Sequence, residues 1–311
     1  QKLKAFVFGV IASENRSTTS DSLVNGLGMK ICFTFILSRS CRYIHGPNPA
    51  GLGPWMYRQE RDGIKVKQIF IPSPLTSESD VVERFSEAIT PKTKALSFCH
   101  VTRGGHLYPV KKLAAMARKR GLLTLVDGAQ AVGQFPINLH ELGCDAYAVS
   151  LHKWILAPAG TGFLYIRKNA RDRIKSVFAA DTTLESPRID PPGTKDFPVR
   201  AAILAALNFV NTLGQKNIER RCRFLSDYLK DGLEKIQGVI LLSGASPSLS
   251  APGSTIFEKE GLDAMKAVPL IENKIHTHID EHQRDGHNAI RVSTHFYNNT
   301  VEIDSLLSAL S

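Results

Sequence analysis

The chain has 311 residues, of which 43% are hydrophobic and 22% are charged, so it can bury a substantial core and is not mainly disordered. Its 39 Lys and Arg residues against 29 Asp and Glu residues give a net charge of +10. The basic residues are scattered without interleaved aromatic side chains, which indicates solvated helix faces and excludes an obvious nucleic-acid site. No apolar run approaches the ~20 residues that a membrane span needs.

The cysteines and the first residue bear on the compartment of the protein. Five cysteines occur without a CxxC pair or a short metal-ligand spacing, namely Cys32, Cys41, Cys99, Cys144 and Cys222. This usage is typical of a reducing compartment, so we expect a cytoplasmic protein. The chain begins at Gln1 without the pattern of a secretory signal, and we expect it to be a fragment.

Between residues 90 and 170, apolar runs alternate with helical periods. The sequence predicts strands at 95–100, 122–126, 146–150 and 163–166, and helices at 109–120 and 139–142. Pro109 suits a first helical turn, and Gly121 suits the end of that helix. The alternation predicts an α/β fold with a mostly parallel sheet covered by helices.

Two helices are predicted in the region that follows. Pro198 opens a helix over 199–213 that is apolar on most sides, which indicates a buried helix. The second helix carries apolar residues on one stripe from Ile218 to Ile236, which indicates an amphipathic helix.

The last part of the chain predicts a smaller α+β domain. A strand is predicted at 289–294 and a helix at 301–310, for which Asn299 and Glu302 can form a capping box. We therefore expect a large domain over residues 1–211 and a small C-terminal domain over residues 212–311.

Polar side chains follow three of the predicted strands. His100 follows the first, Asp127 the second, and Ser150, His152 and Lys153 the third. Ligands of open α/β sheets bind beyond these carboxyl ends. A lysine, a carboxylate and short polar donors are the groups that hold pyridoxal phosphate, although a lone Asp is more often a turn residue and a lone Lys a solvated one.

The motifs around these residues resemble a known family. They read LVDGAQAVG at 125–133 and SLHKW at 150–154, followed by GTGFLY at 160–165. This ordered set resembles the class V aminotransferase superfamily of pyridoxal-phosphate enzymes, and RVSTHFYN at 291–298 resembles its isopenicillin-N epimerase-like branch. The resemblance implies the PLP-dependent transferase fold (aspartate aminotransferase-like, fold type I), pyridoxal 5'-phosphate as cofactor and an amino-acid-type substrate.

The resemblance also implies roles for single residues. Lys153 is similar to the lysine that forms a Schiff base with the cofactor, Asp127 to the partner of the pyridine nitrogen, and Gln130 to the donor at the phenolic oxygen. Arg291 matches the arginine that binds the α-carboxylate of the substrate, a task suited to a planar guanidinium group. A surface arginine in a strand is the alternative for Arg291.

Further residues resemble the family's phosphate and ring contacts. Ser150 and His152 match phosphate-binding positions, and Thr18 lies in a stretch similar to the family's phosphate-cradling helix start. Thr194 resembles a residue that reaches the phosphate across a dimer interface, which implies a homodimer with composite sites. Tyr43 is the candidate for the aromatic ring that stacks on the cofactor, with a simple loop residue as the alternative.

The first 60 residues depart from the family's pattern. The acidic residue expected after the threonines is out of register, and the apolar run 31–37 replaces a Gly-Asp turn. Family members begin well upstream, so we expect the large domain to be truncated at its N-terminus relative to the family. The loop at 102–104 is one residue shorter than is usual in the family.

Several functions remain open at this point. The leading hypothesis is an isopenicillin-N epimerase-like enzyme that acts at the α-carbon of an amino acid or a derivative. A cysteine desulfurase or carbon-sulfur lyase is the alternative within the fold, although residues 258–290 contain no cysteine for persulfide chemistry. A catalytically impaired relative that only interacts is the third. The segment HTHIDEH at 276–282 superficially resembles a metallohydrolase signature, but its last histidine is one place too far along, so we predict a polar surface segment and no metal.

Overall fold

A computed structural model describes residues 6–9, 42–45, 49–174, 196–283 and 286–311, with backbone alone before Pro54. Seven strands form the large sheet: β1 (Phe6–Gly9), β2 (Arg42–His45), β3 (Lys65–Gln68), β4 (Thr93–Cys99), β5 (Leu123–Asp127), β6 (Ala146–Ser150) and β7 (Thr161–Ile166). Their spatial order is β1-β7-β6-β5-β4-β2-β3.

The large sheet is mostly parallel. Strands β6, β5, β4, β2 and β3 run in the same direction, while β7 is antiparallel to β6 and β1 is antiparallel to β7. This arrangement confirms the predicted α/β class. It also places the carboxyl ends of β4, β5 and β6 side by side at one edge of the sheet.

Helices cover this sheet: α1 (Pro49–Asp62), α2 (Glu78–Ala88), α3 (Val110–Lys119) and α4 (Leu139–Leu142). The predicted helix between β4 and β5 is α3, which buries Val110, Leu113, Ala114 and Ala117. Pro109 is the residue before its first turn rather than a member of that turn, and Gly121 follows its end with φ +68°. Neither α1 nor α2 was predicted, although Val81, Phe85 and Ala88 of α2 have helical spacing and are buried.

The helix pair after residue 196 corrects one prediction. Helix α5 (Phe197–Leu213) has the predicted place but is not buried, since only Ile203 and Val210 are inaccessible to solvent. Other apolar side chains of α5 are largely exposed, with Leu204 at 64% and Phe209 at 50%. Helix α6 (Gln215–Leu233) is amphipathic as predicted, although it ends before Ile236.

The C-terminal part forms a second, antiparallel sheet. Its strands are β8 (Val239–Leu241), β9 (Ser254–Lys259), β10 (Asp280–His282) and β11 (Ala289–Ser293), in the order β10-β11-β9-β8. Helices α7 (Ala264–Ile275) and α8 (Thr300–Leu310) share an apolar cluster with this sheet. The capping box predicted for α8 is confirmed, because Asn299 and Glu302 exchange hydrogen bonds of 3.0 and 3.1 Å.

Helix α6 contributes to two apolar clusters. Ile218 and Cys222, near its start, belong to the cluster that packs on the large sheet. Leu225, Leu229 and Leu233 belong to the cluster between the small sheet, α7 and α8. The boundary after residue 211 stays a prediction, with α6 shared by the two cores.

Within the described ranges, no single helix has both the length and the apolar composition to cross a membrane. Helices α5 and α6 meet these two criteria only when taken together, and the pair is bent by 74°.

Candidate active site

Asp127 lies at the mouth of the large sheet. It is the last residue of β5, after four buried residues, and is itself half-buried. Its neighbours in the ladder are Cys99 of β4 and Ala148 of β6. The Oδ1 atom of Asp127 accepts a 2.9 Å hydrogen bond from the N–H of Ala129, so the turn after the strand holds the carboxylate in place.

Lys153 lies in the turn that follows β6. The turn is closed by a 2.9 Å hydrogen bond from the Leu151 N–H to the Thr161 carbonyl. Burial lowers the pKa of Lys153; the Asp127 carboxylate opposes this shift, while the guanidinium groups of Arg291 and Arg103 add to it. Lys153, Asp127 and Arg291 are therefore close enough to interact, and the amine is shifted toward the neutral form that a nucleophile needs.

The side-chain amide of Gln130 has a defined orientation. Its Oε1 atom accepts a 3.1 Å hydrogen bond from the indole Nε1–H of Trp154. Because an indole N–H can only donate, the amide oxygen must face Trp154, and the amide NH₂ group remains a donor for another partner. The fully buried Gln134 holds the same segment, since its Nε2–H donates to the Gln130 carbonyl and its Oε1 accepts from Gly253.

Three stacked rings join the residue after Lys153 to the segment that follows β11. Trp154 stacks on His295 with ring centroids 4.7 Å apart, and His295 stacks on Tyr297 at 4.3 Å. Burial lowers the pKa of His295 to about 4, a shift that the nearby backbone of Lys153 opposes, so the ring is neutral at pH 7. Sequence reasoning missed this stack, although the aromatic residues next to both motifs were a usable signal.

Arg291 projects from β11 toward the same site. Its Nη1 atom lies 3.3 Å from Oδ2 of Asp280, and its Nη2–H donates to Ser293 Oγ at 2.9 Å. Its Nε atom is buried without a hydrogen-bond partner. Burial lowers the pKa of Arg291, and only 11% of its side chain is exposed, which supports the ligand-binding reading over that of a surface arginine.

The predicted phosphate contacts are described in part. Ser150 is the buried last residue of β6, and His152 is half-buried with an Nδ1 atom that has no hydrogen-bond partner. Burial and the neighbouring Lys153 lower the pKa of His152. Thr18 and Thr194 lie outside the described residues, and Tyr43 lies in β2, of which the backbone alone is described.

His100 and Tyr147 form a buried pair beside the end of β5. His100 Nδ1 lies 2.7 Å from the Tyr147 hydroxyl oxygen, and burial lowers the pKa of His100 to about 4. The Tyr147 ring packs so tightly on Gly128 that a Cβ atom there would lie 1.9 Å from a ring carbon. Any side chain at the position after Asp127 would therefore collide with the Tyr147 ring unless that ring moved.

The segment 276–282, which was predicted to be a polar surface segment without a metal, forms part of the small sheet. Its residues 280–282 form β10, with His282 and Ile279 buried, so it is not simply a surface segment. His278 is exposed and lies 2.6 Å from Glu272. Within the part of the chain that the structure describes, no three His, Cys, Asp or Glu residues are arranged to hold a metal ion.

Comparison with known proteins assigns the family. The model of the aminotransferase class-V family matches residues 48–306. The chain belongs to the class V aminotransferase family. It is 31% identical over 278 residues to the isopenicillin N epimerase of Amycolatopsis lactamdurans, which covers 82% of this chain and 69% of that protein. It is 30% identical over 281 residues to a probable cysteine desulfurase of Xylella fastidiosa, covering 84% of this chain and 66% of that protein.

Solved structures confirm the predicted fold. A C-DES variant with glycine covalently linked to its PLP cofactor has a TM-score of 0.80 and 21% identity, covering 93% of this chain and 79% of that one. The apo cysteine desulfurase of Thermococcus onnurineus has a TM-score of 0.75 and 22% identity, covering 88% and 72%. The class V family is one of PLP-dependent enzymes, and pyridoxal phosphate is the cofactor of this chain as predicted.

The residues present fit this cofactor. A buried amine with a lowered pKa stands near a carboxylate, as the pairing of Lys153 and Asp127 requires. The oriented amide of Gln130 offers a donor, and the unpartnered Nδ1 of His152 offers a further polar contact. These four side chains are chemically complementary to the aldehyde, the pyridine nitrogen, the ring oxygen and the phosphate of pyridoxal phosphate.

Proposed function

We propose that this enzyme labilises the α-proton of an amino acid or an amino-acid derivative, in the manner of an isopenicillin-N epimerase-like enzyme. The observation that carries the proposal is the buried amine of Lys153, whose pKa is influenced by both the Asp127 carboxylate and the Arg291 guanidinium group. An amine in that position can take a proton from the carbon next to a bound carboxylate.

Each residue has a task in this proposal. Arg291 binds the α-carboxylate and so orients the Cα–H bond toward Lys153. Lys153 would hold the cofactor's aldehyde through its Nζ atom. Once the substrate's amino group displaced it there, the freed amine would accept the α-proton, and inversion would need a proton delivered to the opposite face of Cα by a second acid or by water. The lowered pKa of Lys153 favours the free amine, which is the form that accepts a proton.

The remaining site residues hold and tune the cofactor. When bound, pyridoxal phosphate supplies a protonated pyridine ring that delocalises the electron pair released at Cα. Asp127 would keep the ring nitrogen protonated, and the Gln130 NH₂ group would donate to the ring oxygen. For the phosphate we propose Ser150, His152, Thr18 and Thr194, and for the face of the ring Tyr43.

A cysteine desulfurase or carbon-sulfur lyase is the second candidate, because probable cysteine desulfurases are among the relatives. Persulfide chemistry requires a reactive thiolate. Burial raises the pKa of Cys144 and of Cys222 to about 12, and Cys99 is buried as well. The described cysteines therefore disfavour the desulfurase and leave elimination without persulfide as the stronger form of this candidate.

Exchange of the α-proton tests the proposal. The PLP-loaded enzyme is incubated in D₂O with a panel of amino acids and small peptides, and exchange is followed by NMR and configuration by chiral chromatography. We expect exchange at Cα with inversion, and we expect Lys153→Ala to abolish it. Lys94→Ala, on an exposed position of β4, is the matched control and should retain it.

Borohydride reduction with peptide mass spectrometry gives an independent readout, with the cofactor expected on Lys153. Exchange that persists in Lys153→Ala contradicts the proposal. Release of sulfide from cysteine without inversion favours the lyase, and cofactor binding without any reaction across the panel favours the impaired relative.

We infer further that the enzyme is a cytoplasmic homodimer. The support for the dimer is the exposed apolar surface of α5, whose hydrophobic side chains have few contacts within the described chain. The support for the compartment is that the cysteines in the described ranges, Cys99, Cys144 and Cys222, form no disulfide.

A further inference from the structure

A second arginine lies beside Arg291. Arg103 follows β4 in the loop that the sequence marked as short, and its Nη2–H donates to the Glu281 carbonyl at 2.9 Å. Both guanidinium groups act on Lys153, and Arg103 also acts on Arg291, so the two guanidinium groups lie near each other beside Lys153. Like charges brought together in this way repel each other unless an anion lies between them.

The loop that carries Arg103 is firmly held. The Thr102 N–H donates to the His106 carbonyl at 2.9 Å, and the Ala251 N–H donates to the Gly105 carbonyl at 2.7 Å. A Cβ atom on Gly105, which has φ +77°, would lie 2.6 Å from Ser254. The shorter loop therefore packs on the start of β9 and fixes the direction from which Arg103 reaches the site.

The acidic neighbours of the two arginines pair with them loosely. Asp280 lies 3.3 Å from Arg291 and Glu281 lies 3.6 Å from Arg103, whereas a strong charge-assisted hydrogen bond is about 2.7–2.9 Å long. Asp280 and Glu281 are also 38% and 30% exposed, so solvent weakens both pairs further.

Both arginines also keep an unused donor inside the site. The Nε atoms of Arg103 and Arg291 are buried without a hydrogen-bond partner. A buried N–H group that lacks an acceptor is costly, and a bound carboxylate removes that cost. One α-carboxylate satisfies Arg291 and leaves Arg103 unsatisfied.

We propose that Arg103 binds a second acidic group of the substrate while Arg291 binds its α-carboxylate, so that the enzyme prefers amino acids or derivatives whose side chain carries a carboxylate. This inference rests on the proposed function, because it assigns Arg291 to the α-carboxylate. It makes Arg103 a specificity-determining residue. A substrate with a neutral side chain would leave the guanidinium group of Arg103 without an acceptor.

Binding of unreactive acids tests the inference without turnover. Calorimetric titration of the PLP-loaded enzyme compares succinate with butyrate, glutarate with valerate and adipate with hexanoate, each pair having equal carbon number. We expect at least one dicarboxylate to bind roughly tenfold more tightly than its partner, the gain typical of a hydrogen-bonded charge. In Arg103→Gln the ratio of the dicarboxylate affinity to the monocarboxylate affinity should fall to about one, while the monocarboxylate affinity itself is unchanged.

Three further variants separate anion binding from a structural role. Glu281→Gln removes the acidic neighbour of Arg103 but keeps the backbone carbonyl, so the preference should persist or increase. Arg84→Gln breaks an ion pair within α2, away from the site, and should not change the preference. Arg103→Lys keeps the charge and should retain part of the preference, which tests the inference if Arg103→Gln fails to fold.

The inference is overturned if no dicarboxylate is preferred, or if Arg103→Gln weakens the binding of both members of a pair equally. Loss of the preference in Glu281→Gln would also overturn it, since Arg103 would then act only as a tether. The inference and the proposed function fail separately. Proton exchange with neutral amino acids but no dicarboxylate preference refutes the inference alone, whereas a preference without any exchange refutes the proposed function alone.

Discussion

The amide of Gln130 owes its orientation to one neighbouring residue. The indole N–H of Trp154 binds the amide oxygen, and the Trp154 ring is in turn stacked on His295. A glutamine that is free to rotate would offer its oxygen as often as its NH₂ group to a ligand. The ring stack thus prepares the site for an acceptor before the cofactor arrives.

Trp154→Phe should weaken cofactor binding. Phenylalanine keeps an aromatic ring over His295 but lacks the N–H group that orients Gln130. Loss of one oriented hydrogen bond is worth about 0.5–1.5 kcal/mol, so the Kd for pyridoxal phosphate should rise roughly two- to twelvefold. Absorbance titration of the apoenzyme measures this constant. Trp55→Phe, in α1, is the control, and an unchanged Kd in Trp154→Phe would contradict the role assigned to the indole.

The buried His100 should make the protein less stable in acid. Its pKa is about 4 in the folded chain against an ordinary 6.5, so between these values the unfolded chain binds more protons. The stabilising contribution is complete above pH 6.5 and is lost as the pH falls toward 4. From the shift, the free energy of unfolding should fall by about 1–2 kcal/mol between pH 7 and 5 on account of His100.

Guanidinium unfolding at pH 7 and pH 5 checks this expectation. In His100→Gln the decrease in the free energy of unfolding between pH 7 and pH 5 should be smaller by about 1–2 kcal/mol, whatever the variant's absolute stability. His278→Gln changes an exposed histidine and should keep the wild-type loss. The same loss in His100→Gln as in the wild type would show that His100 is not the group responsible.

At the scale of elements, the composition of a segment did not determine whether it is buried. The sequence predicts that α5 is buried, because its residues are apolar on most sides, yet more than one side of the helix has no neighbour within the described chain. Conversely, the segment around Asp280 looks like polar surface, but it pairs with β11 and places two acids beside two arginines. The composition of an element shows whether it is compatible with burial, whereas its actual burial depends on which other elements pack against it.

Gly128→Ala should disturb the junction of β5 and its following turn. The new Cβ atom would lie 1.9 Å from a ring carbon of Tyr147, whose hydroxyl group lies 2.7 Å from His100 Nδ1. Overpacking of a buried site costs about 1–3 kcal/mol, and we expect a loss of stability in that range together with weaker cofactor binding.

Gly104→Ala is a matched control for this change. The nearest atom to a Cβ there is 3.5 Å away, which is an ordinary contact, so its stability should differ from the wild type by less than about 1 kcal/mol. Thermal unfolding and cofactor titration of both variants provide the measurement. Equal effects of the two substitutions would contradict the steric argument.

At the scale of the whole molecule, the exposed face of α5 is the feature that a dimer would explain. Phe197, Leu204 and Phe209 are each at least half exposed on one helix. Burying such side chains contributes about 1.5–3 kcal/mol each, which favours association with a second copy. The predicted role of Thr194 at a composite site also requires a partner close to the start of this helix.

Leu204→Glu should therefore weaken the dimer. A carboxylate at a buried interface lacks a counter-charge, so light scattering after size exclusion should give a larger monomer fraction at low micromolar concentration. Leu270→Glu is the matched control, because Leu270 is 69% exposed on α7. A wild-type protein that is monomeric at every concentration would exclude the dimer.

The sequence by itself determined the family, the α/β class and the residues at the strand ends. The reason is that these features are local: Asp127 and Gln130 are three residues apart, Ser150 and Lys153 likewise, and each set follows its own apolar strand. Their meeting at one edge follows from the parallel order of neighbouring strands.

Only the tertiary structure decided which distant groups join that site. Arg103 and Glu281 are 178 residues apart, and nothing in either local pattern pairs them. The same holds for Trp154 with His295 and for the exposure of α5. The two contacts arise where the loops after β4 and β6 pack against the C-terminal part of the chain, and such packing depends on the shapes of both surfaces and not on the periodicity of either segment.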